Sequence, residues 1–145
     1  MRFFSSLTLA GLASLVTTSV LAQAPFFGAP QSLAQVTVGE DVLVSVFQGA
    51  SNSQFEDVAI ALGISQCFTG ADSCSGPGGG LVDVFYAGPF NATFVGTNRF
   101  QNFTVTIPSF YEPGQFAQVT AALFTLVGAE ATPNLDTIAI VLQVI

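Results

Sequence analysis

The sequence predicts an all-β protein, an immunoglobulin-like antiparallel β-sandwich of about seven strands. Three observations carry this reading. Past residue 22 the chain divides into short apolar runs, most alternating with period two, and no run shows a convincing helical period. Turn signals built from Gly, Pro, Asn and Asp separate these runs. One stretch, Phe116 to Val127 (FAQVTAALFTLV), has no charge, proline or glycine and is apolar on both faces. Val119, Ala121 and Leu123 point one way; Ala122, Phe124 and Leu126 point the other. A strand of that kind belongs at the centre of a sheet. A buried helix is the competing reading, and the flanking Gly114 and Gly128 with the β-branched content favour the strand.

The chain begins with a secretory signal. Arg2 supplies the positive region, Leu7 to Leu21 the apolar region, and Val20-Leu21-Ala22 places small residues where a signal peptidase reads, so cleavage follows Ala22. The run is too short and too rich in Ser, Thr and Gly for a membrane anchor, and no later run is long enough to span. Residues 23 to 145 then form a single β-sandwich domain, long enough to bury a real core.

Gln23 to Pro30 is a Pro/Gly-punctuated lead-in, a loose arm or a short edge segment. Leu33 to Val38 reads as the first strand. Gly39-Glu40-Asp41 is a turn, and Val42, Val44 and Val46 mark a hairpin partner. Gly49 to Gln54 is a polar loop. In the third strand, Phe55 to Gly63, Val58, Ile60 and Leu62 share one face, with Asp57, Ala59 and Ala61 on the other. Adjacent Glu56 and Asp57 therefore cannot form a facing acid/base pair. Cys67 to Gly80 is irregular, because Gly76-Pro77-Gly78-Gly79-Gly80 continues no regular element. No Gly-Lys-Ser/Thr follows, so it is no phosphate loop. Leu81 to Ala87 is a strand ended by Gly88-Pro89, and Asn91 to Gly96 is a connection. Phe103, Val105 and Ile107 are the apolar face of a strand whose other face holds Asn102, Thr104 and Thr106. After the central strand Glu130 to Asn134 turns, and Ile138 to Val144 closes the chain. A small barrel or jelly roll would satisfy the same pattern.

Composition narrows the function. Losing Arg2 with the signal leaves Arg99 alone against nine carboxylates, with no Lys and no His. Electrostatics therefore oppose binding to nucleic acid or to anionic lipid. A serine nucleophile has no basic partner. Metal or other cofactor binding finds no ligand set, with no His and only two Cys. Asp72, Asp83, Glu112, Glu130 and Asp136 could converge as paired carboxylates for glycoside hydrolysis, although nothing in their spacing shows it. With no Trp and two Tyr, sugar platforms are thin, and the thirteen Phe past the signal read as core. No catalytic residue is assigned, and the chain reads as a non-enzyme.

Cys67 and Cys74, an even pair in a secreted chain, predict a disulfide closing a local loop. The chain-entropy stabilisation for so small a loop is about 2.5 kcal/mol. Asn91-Ala92-Thr93 and Asn102-Phe103-Thr104 are N-glycosylation sequons, one in a loop and one on the polar face of its strand.

From Phe55 onward the chain resembles the necrosis-inducing secreted (Nis-type) effectors of fungi. The resemblance rests on Asp57-Val58-Ala59-Ile60-Ala61-Leu62-Gly63, Phe85-Tyr86-Ala87-Gly88-Pro89, and Asn102-Phe103-Thr104-Val105-Thr106-Ile107-Pro108. Its strongest piece is Ala121-Ala122-Leu123-Phe124-Thr125-Leu126-Val127-Gly128-Ala129, followed by Pro133 and Leu135. The pieces match in order and approximate spacing. The resemblance implies a secreted, non-enzymatic effector that suppresses plant pattern-triggered immunity. It does so by binding and inhibiting receptor-associated kinases, a membrane co-receptor and a receptor-like cytoplasmic kinase, and some members trigger cell death. A cytosolic target requires translocation into the host cell, for which the sequence shows no recognisable signal. The Cys67–Cys74 loop with its glycine run departs from the family pattern by being longer. A carboxylate-dependent carbohydrate-active enzyme and a structural cell-wall glycoprotein are the alternatives.

Overall fold

The computed structural model describes residues 24–50 and 54–145; the signal segment and residues 51–53 of the polar loop lie outside the described residues. Nine strands are present among them: β1 Phe26–Ala29, β2 Gln35–Val36, β3 Asp41–Gln48, β4 Phe55–Cys67, β5 Asp83–Pro89, β6 Thr93–Val95, β7 Asn98–Thr106, β8 Phe116–Val127 and β9 Thr132–Val144. They form two sheets, ordered β1-β3-β7-β6 and β2-β9-β8-β4-β5. The first edge strand is divided between the sheets, as in immunoglobulin-type sandwiches, so β1 pairs with β3 and β2 with β9.

The inner faces follow from alternation. Val42, Val44 and Val46 of β3 and Phe103 and Val105 of β7 meet Ile60, Leu62 and Ile64 of β4, Val119, Ala121 and Leu123 of β8, and Leu142 and Val144 of β9. All are buried. The expectation of a phenylalanine core fails. Only Phe90 and Phe103 are fully buried, whereas Phe26, Phe68, Phe94 and Phe110 are exposed. Close-packed aliphatic residues from two facing sheets fill the interlayer, and the large rings are left to the periphery.

β8 is the middle strand of the five-stranded sheet, as its two-sided apolarity predicts. The irregular segment meets the start of its outer face at Gln118. Two 3-10 turns, Ala71–Ser73 and Pro77–Gly79, carry the chain back over the sheet. There the Gly76 N–H donates to Gln118 Oε1 at 2.8 Å and Gln118 Nε2 donates to Gly76 O at 3.1 Å. Gln118 is thereby buried and paired although it points away from the core.

Four details differ from the sequence reading. Leu33–Val38 and Val42–Val46 form no hairpin. Only Gln35–Val36 is strand, it runs parallel to β9, and the turn at Gly39 (φ +79°) carries the chain to the opposite sheet. One parallel pair therefore interrupts the antiparallel pattern. Asn91–Gly96 is not only a connection, because Gly96 (φ +60°) closes a tight hairpin in which Val95 faces Asn98, creating β6. The last strand starts at Thr132 rather than Ile138, since β9 pairs with β8 along its whole length and has β2 on its other side only at Gln143 and Val144. Pro133 is tolerated on that open stretch. Finally, Val58 does not share a face with Ile60 and Leu62. The β4–β8 register jumps between Asp57 and Ala59, and this bulge exposes Val58 and turns Asp57 inward.

Candidate functional site

The strands place two distinctive groupings at opposite ends of the sandwich. The inward turn of Asp57 puts its carboxylate 2.8 Å from the Arg99 guanidinium on β7, so an ion pair links the two sheets. The guanidinium also lies 4.0 Å over the Phe55 ring. Thr125 faces Asp57 across the β4–β8 ladder, and Thr125 Oγ1 and Asp57 Oδ1 are buried without hydrogen-bond partners among the described residues. Burial pushes the Asp57 carboxyl above its ordinary value of 3.8, and Arg99 offsets part of that rise. This end is structural. It consumes the only Lys or Arg among the described residues, so the described surface bears carboxylates and no free basic side chain.

The other end carries the candidate interaction site. β4 terminates at Cys67, opposite Phe116 at the start of β8. Cys67 and Cys74 are joined in a disulfide, as the sequence predicts. The bridge fixes a tight loop in which Ser73 Oγ accepts from the Thr69 N–H at 3.0 Å and donates to Gly70 O at 2.7 Å. With both chain ends held, Phe68 projects almost wholly into solvent, 85% exposed. Val82 and Phe110 are exposed beside it, and the three line a groove of about 270 Å³ together with Asp83. Asp72 and Glu112 are exposed on the same end of the sandwich. Under the groove, Phe110 stacks on buried Tyr111 with ring centroids 4.8 Å apart. Burial first, and the Asp83 charge second, push the Tyr111 phenol up to about 12. The result is an apolar, anionic surface on a rigid, cross-linked base.

Other sequence-predicted residues fall elsewhere. The five carboxylates do not share one site. Asp83 faces Ile64, which faces Val119, whereas Asp136 faces Leu123 and Glu130 lies beyond Val127. Along β8 those offsets correspond to roughly 13 and 26 Å or more, beyond the spacing of a hydrolytic carboxylate pair. No group of three or more His, Cys, Asp or Glu among the described residues could hold a metal ion. Asn91 and Asn102 are both exposed, as a glycan requires. The segment Phe85–Pro89 serves packing. Phe85 and Tyr86 lie against the core, and the Tyr86 ring sits 4.7 Å from Phe103 of the opposite sheet. A larger open groove of about 510 Å³ separates Pro25, Phe26 and Pro30 from Pro77 and the outer face of β9, and no ionisable side chain lines it. Among the described residues no helix is long and apolar enough to cross a membrane.

Sequence reasoning missed Phe68, Val82 and Phe110. The available signal was that Phe68 follows Cys67 directly and precedes the polar Thr69-Gly70 pair, where no alternation exists to bury a ring. The Asp57–Arg99 pair left no trace in the sequence, because the bulge that creates it depends on pairing with β8.

Comparison with known proteins gives three findings. The sequence model of the Nis1 family matches residues 22–143. No curated protein matches the chain. Among solved structures, a variant of the superoxide reductase (neelaredoxin) from Ignicoccus hospitalis aligns at 13% identity and TM-score 0.51, covering 85% of this chain and 81% of that one. The superoxide reductase (neelaredoxin) from the same organism aligns at 13% identity and TM-score 0.48, covering 84% of this chain and 80% of that one. The first likeness is one of fold alone.

Proposed function

We propose, from the premise that this chain belongs to the Nis1 family, that it is a secreted fungal effector. In this reading it suppresses plant pattern-triggered immunity by binding and inhibiting receptor-associated immune kinases, without chemical turnover. The family match over residues 22–143 is the observation that carries this reading. It starts at Ala22, where the sequence places signal cleavage, so the matched region is the chain that would be secreted.

The disulfide-loop end supports a binding role. Phe68, Val82 and Phe110 are large apolar groups held in water by a cross-linked loop, and such groups gain free energy when a partner covers them. With Arg99 engaged by Asp57, ion pairs to a partner run only from this chain's carboxylates to the partner's Lys or Arg. Asp72, Asp83 and Glu112 would steer a basic kinase surface toward the groove, while the apolar contacts supply most of the affinity. Affinity should therefore vary weakly with salt, and the association rate more strongly.

Expression of the chain in leaf tissue, followed by a microbial elicitor, tests the reading. The reactive-oxygen burst should fall, and the protein should recover a receptor-associated kinase in a pull-down. Phe68→Ser should weaken that capture by about tenfold, a loss of about 1.4 kcal/mol, while leaving thermal unfolding unchanged. An unaltered burst at confirmed protein levels, with no kinase captured, defeats the proposal. Glycan hydrolysis abolished by mutating one carboxylate would establish the carbohydrate-active alternative in its place.

A further inference from the structure

We propose that Asn102 carries an N-linked glycan whose first N-acetylglucosamine lies on an aromatic ladder formed by Phe100, Phe47 and Phe26. The outer face of the four-stranded sheet is then a surface that this protein covers with its own sugar. The proposal rests on passage through the secretory pathway and is independent of kinase binding.

Strand geometry sets up the site. Phe100, Asn102 and Thr104 occupy alternate positions of β7 and so share its outer face, while Phe103 and Val105 between and beyond them are buried in the core. The acceptor asparagine, the hydroxyl residue of its sequon and an aromatic ring therefore stand in one row, with successive members about 6.6 Å apart. Asn102 is exposed although it sits in a central strand of its sheet. Its Oδ1 accepts a hydrogen bond from Ser45 Oγ at 2.6 Å. That bond orients the amide and uses its oxygen, not Nδ2, the atom to which a glycan is joined. Ser45 lies directly opposite Asn102 on β3 and is itself buried, so the Asn102 amide is held from below while Asn102 stays exposed.

The ladder is built beside that point. Phe47 is the diagonal neighbour of Asn102 across the β3–β7 pair. Its ring stacks on Phe100, with centroids 5.1 Å apart and planes at 17°, and on Phe26, at 5.2 Å and 16°. Gly28 allows this arrangement, since a Cβ at that position would overlap the Phe47 ring. Three stacked rings on the water side of a sandwich are costly unless something covers them. A pyranose fits. Its axial C–H bonds are polarised by the ring oxygens, and their positive ends favour the electron-rich faces of aromatic rings. Asn91 provides an internal contrast: it is exposed in the β5–β6 loop and belongs to no such ladder.

The test uses the full chain secreted from a eukaryotic host as the Asn91→Gln variant, which leaves Asn102 as the only sequon. Peptide mass mapping should show hexosamine on Asn102. Endoglycosidase trimming to one N-acetylglucosamine should leave thermal unfolding nearly unchanged, and complete removal should lower it by about 3 °C. In the Phe100→Leu background, which keeps an apolar side chain but removes the ring, that drop should shrink to under about 1 °C. The corresponding Asn102→Gln protein, glycosylated only at Asn91, should show no drop on complete removal. An unmodified Asn102 in secreted Asn91→Gln protein overturns the proposal, and so does an equal drop with and without Phe100. Occupancy is read from mass alone, so an unmodified Asn102 overturns the proposal even if Phe100→Leu folds poorly, and Phe47→Leu, which removes the middle ring of the ladder, then gives the second reading of the drop.

Discussion

Arg99 and Asp57 illustrate how a single bulge redirects chemistry at the scale of a residue. Each is taken largely out of water, and the cost of that transfer exceeds what the 2.8 Å ion pair returns to the carboxylate, since its pKa is raised chiefly by burial. A raised carboxyl pKa means that the folded state holds the proton more tightly than the unfolded chain. Its contribution to stability is present in full below about pH 3.8 and is lost as the pH climbs through the raised folded value. Asp57→Asn should therefore remain within about 1 kcal/mol of wild type at pH 7 and flatten that decline, measured by urea unfolding across pH. Arg99→Ala should cost about 3 kcal/mol, because it strands a buried carboxylate and removes the contact with Phe55. Tyr111 offers the alkaline counterpart. Its hydroxyl is buried with no partner among the described residues, and its pKa is pushed up to about 12. The neutral phenol stabilises the fold fully below pH 10, and this is lost as pH rises from 10 through about 12. Tyr111→Phe should raise stability by about 1 kcal/mol at neutral pH and remove the alkaline loss over that window.

At the scale of an element, β8 and the loop above it act as a unit. Inward, Leu123 is buried in the interlayer, and Leu123→Ala should cost about 3 kcal/mol in chemical denaturation. Outward, the loop is held twice, by the Cys67–Cys74 bridge and by Gln118 gripping both backbone groups of Gly76. Cys67→Ser alone should lower stability by about 2 kcal/mol with the sandwich retained, because the Gln118 contacts persist. Adding Gln118→Leu should release the loop. The sign of that release is amide exchange over residues 70–80 that rises far more in the double variant than in either single one.

The whole molecule divides its labour between two ends and two faces. One end locks the sheets together with the one cation among the described residues, and the other presents Phe68, Val82 and Phe110 on a cross-linked base. On the proposed reading, the affinity of that end for a basic partner rests on net charge and shape together. Charge reversal at the groove, Asp83→Lys, should slow association several-fold at low salt and much less at high salt, read by surface-binding kinetics with a captured kinase.

Alternation along the backbone was enough to determine the all-β class and the inward faces of β3, β7 and β9, while the two-sided apolarity of Phe116–Val127 marked the central place of β8. Period two is a local property, and burial follows from it wherever no register shift intervenes. The disulfide was equally legible, because two cysteines in one short segment leave no other pairing. The direction of Val58 and Asp57 was not, since a bulge is decided by the strand alongside and reverses every face beyond it. Nor was the division of the first edge strand between two sheets, which depends on β9 offering a free edge to Gln35 and Val36. The fate of the phenylalanines was decided at the same level. Hydrophobicity marks all of them for burial, but an interlayer already filled by Val, Ile and Leu has room for few rings, and only the packed structure shows which ones remain outside.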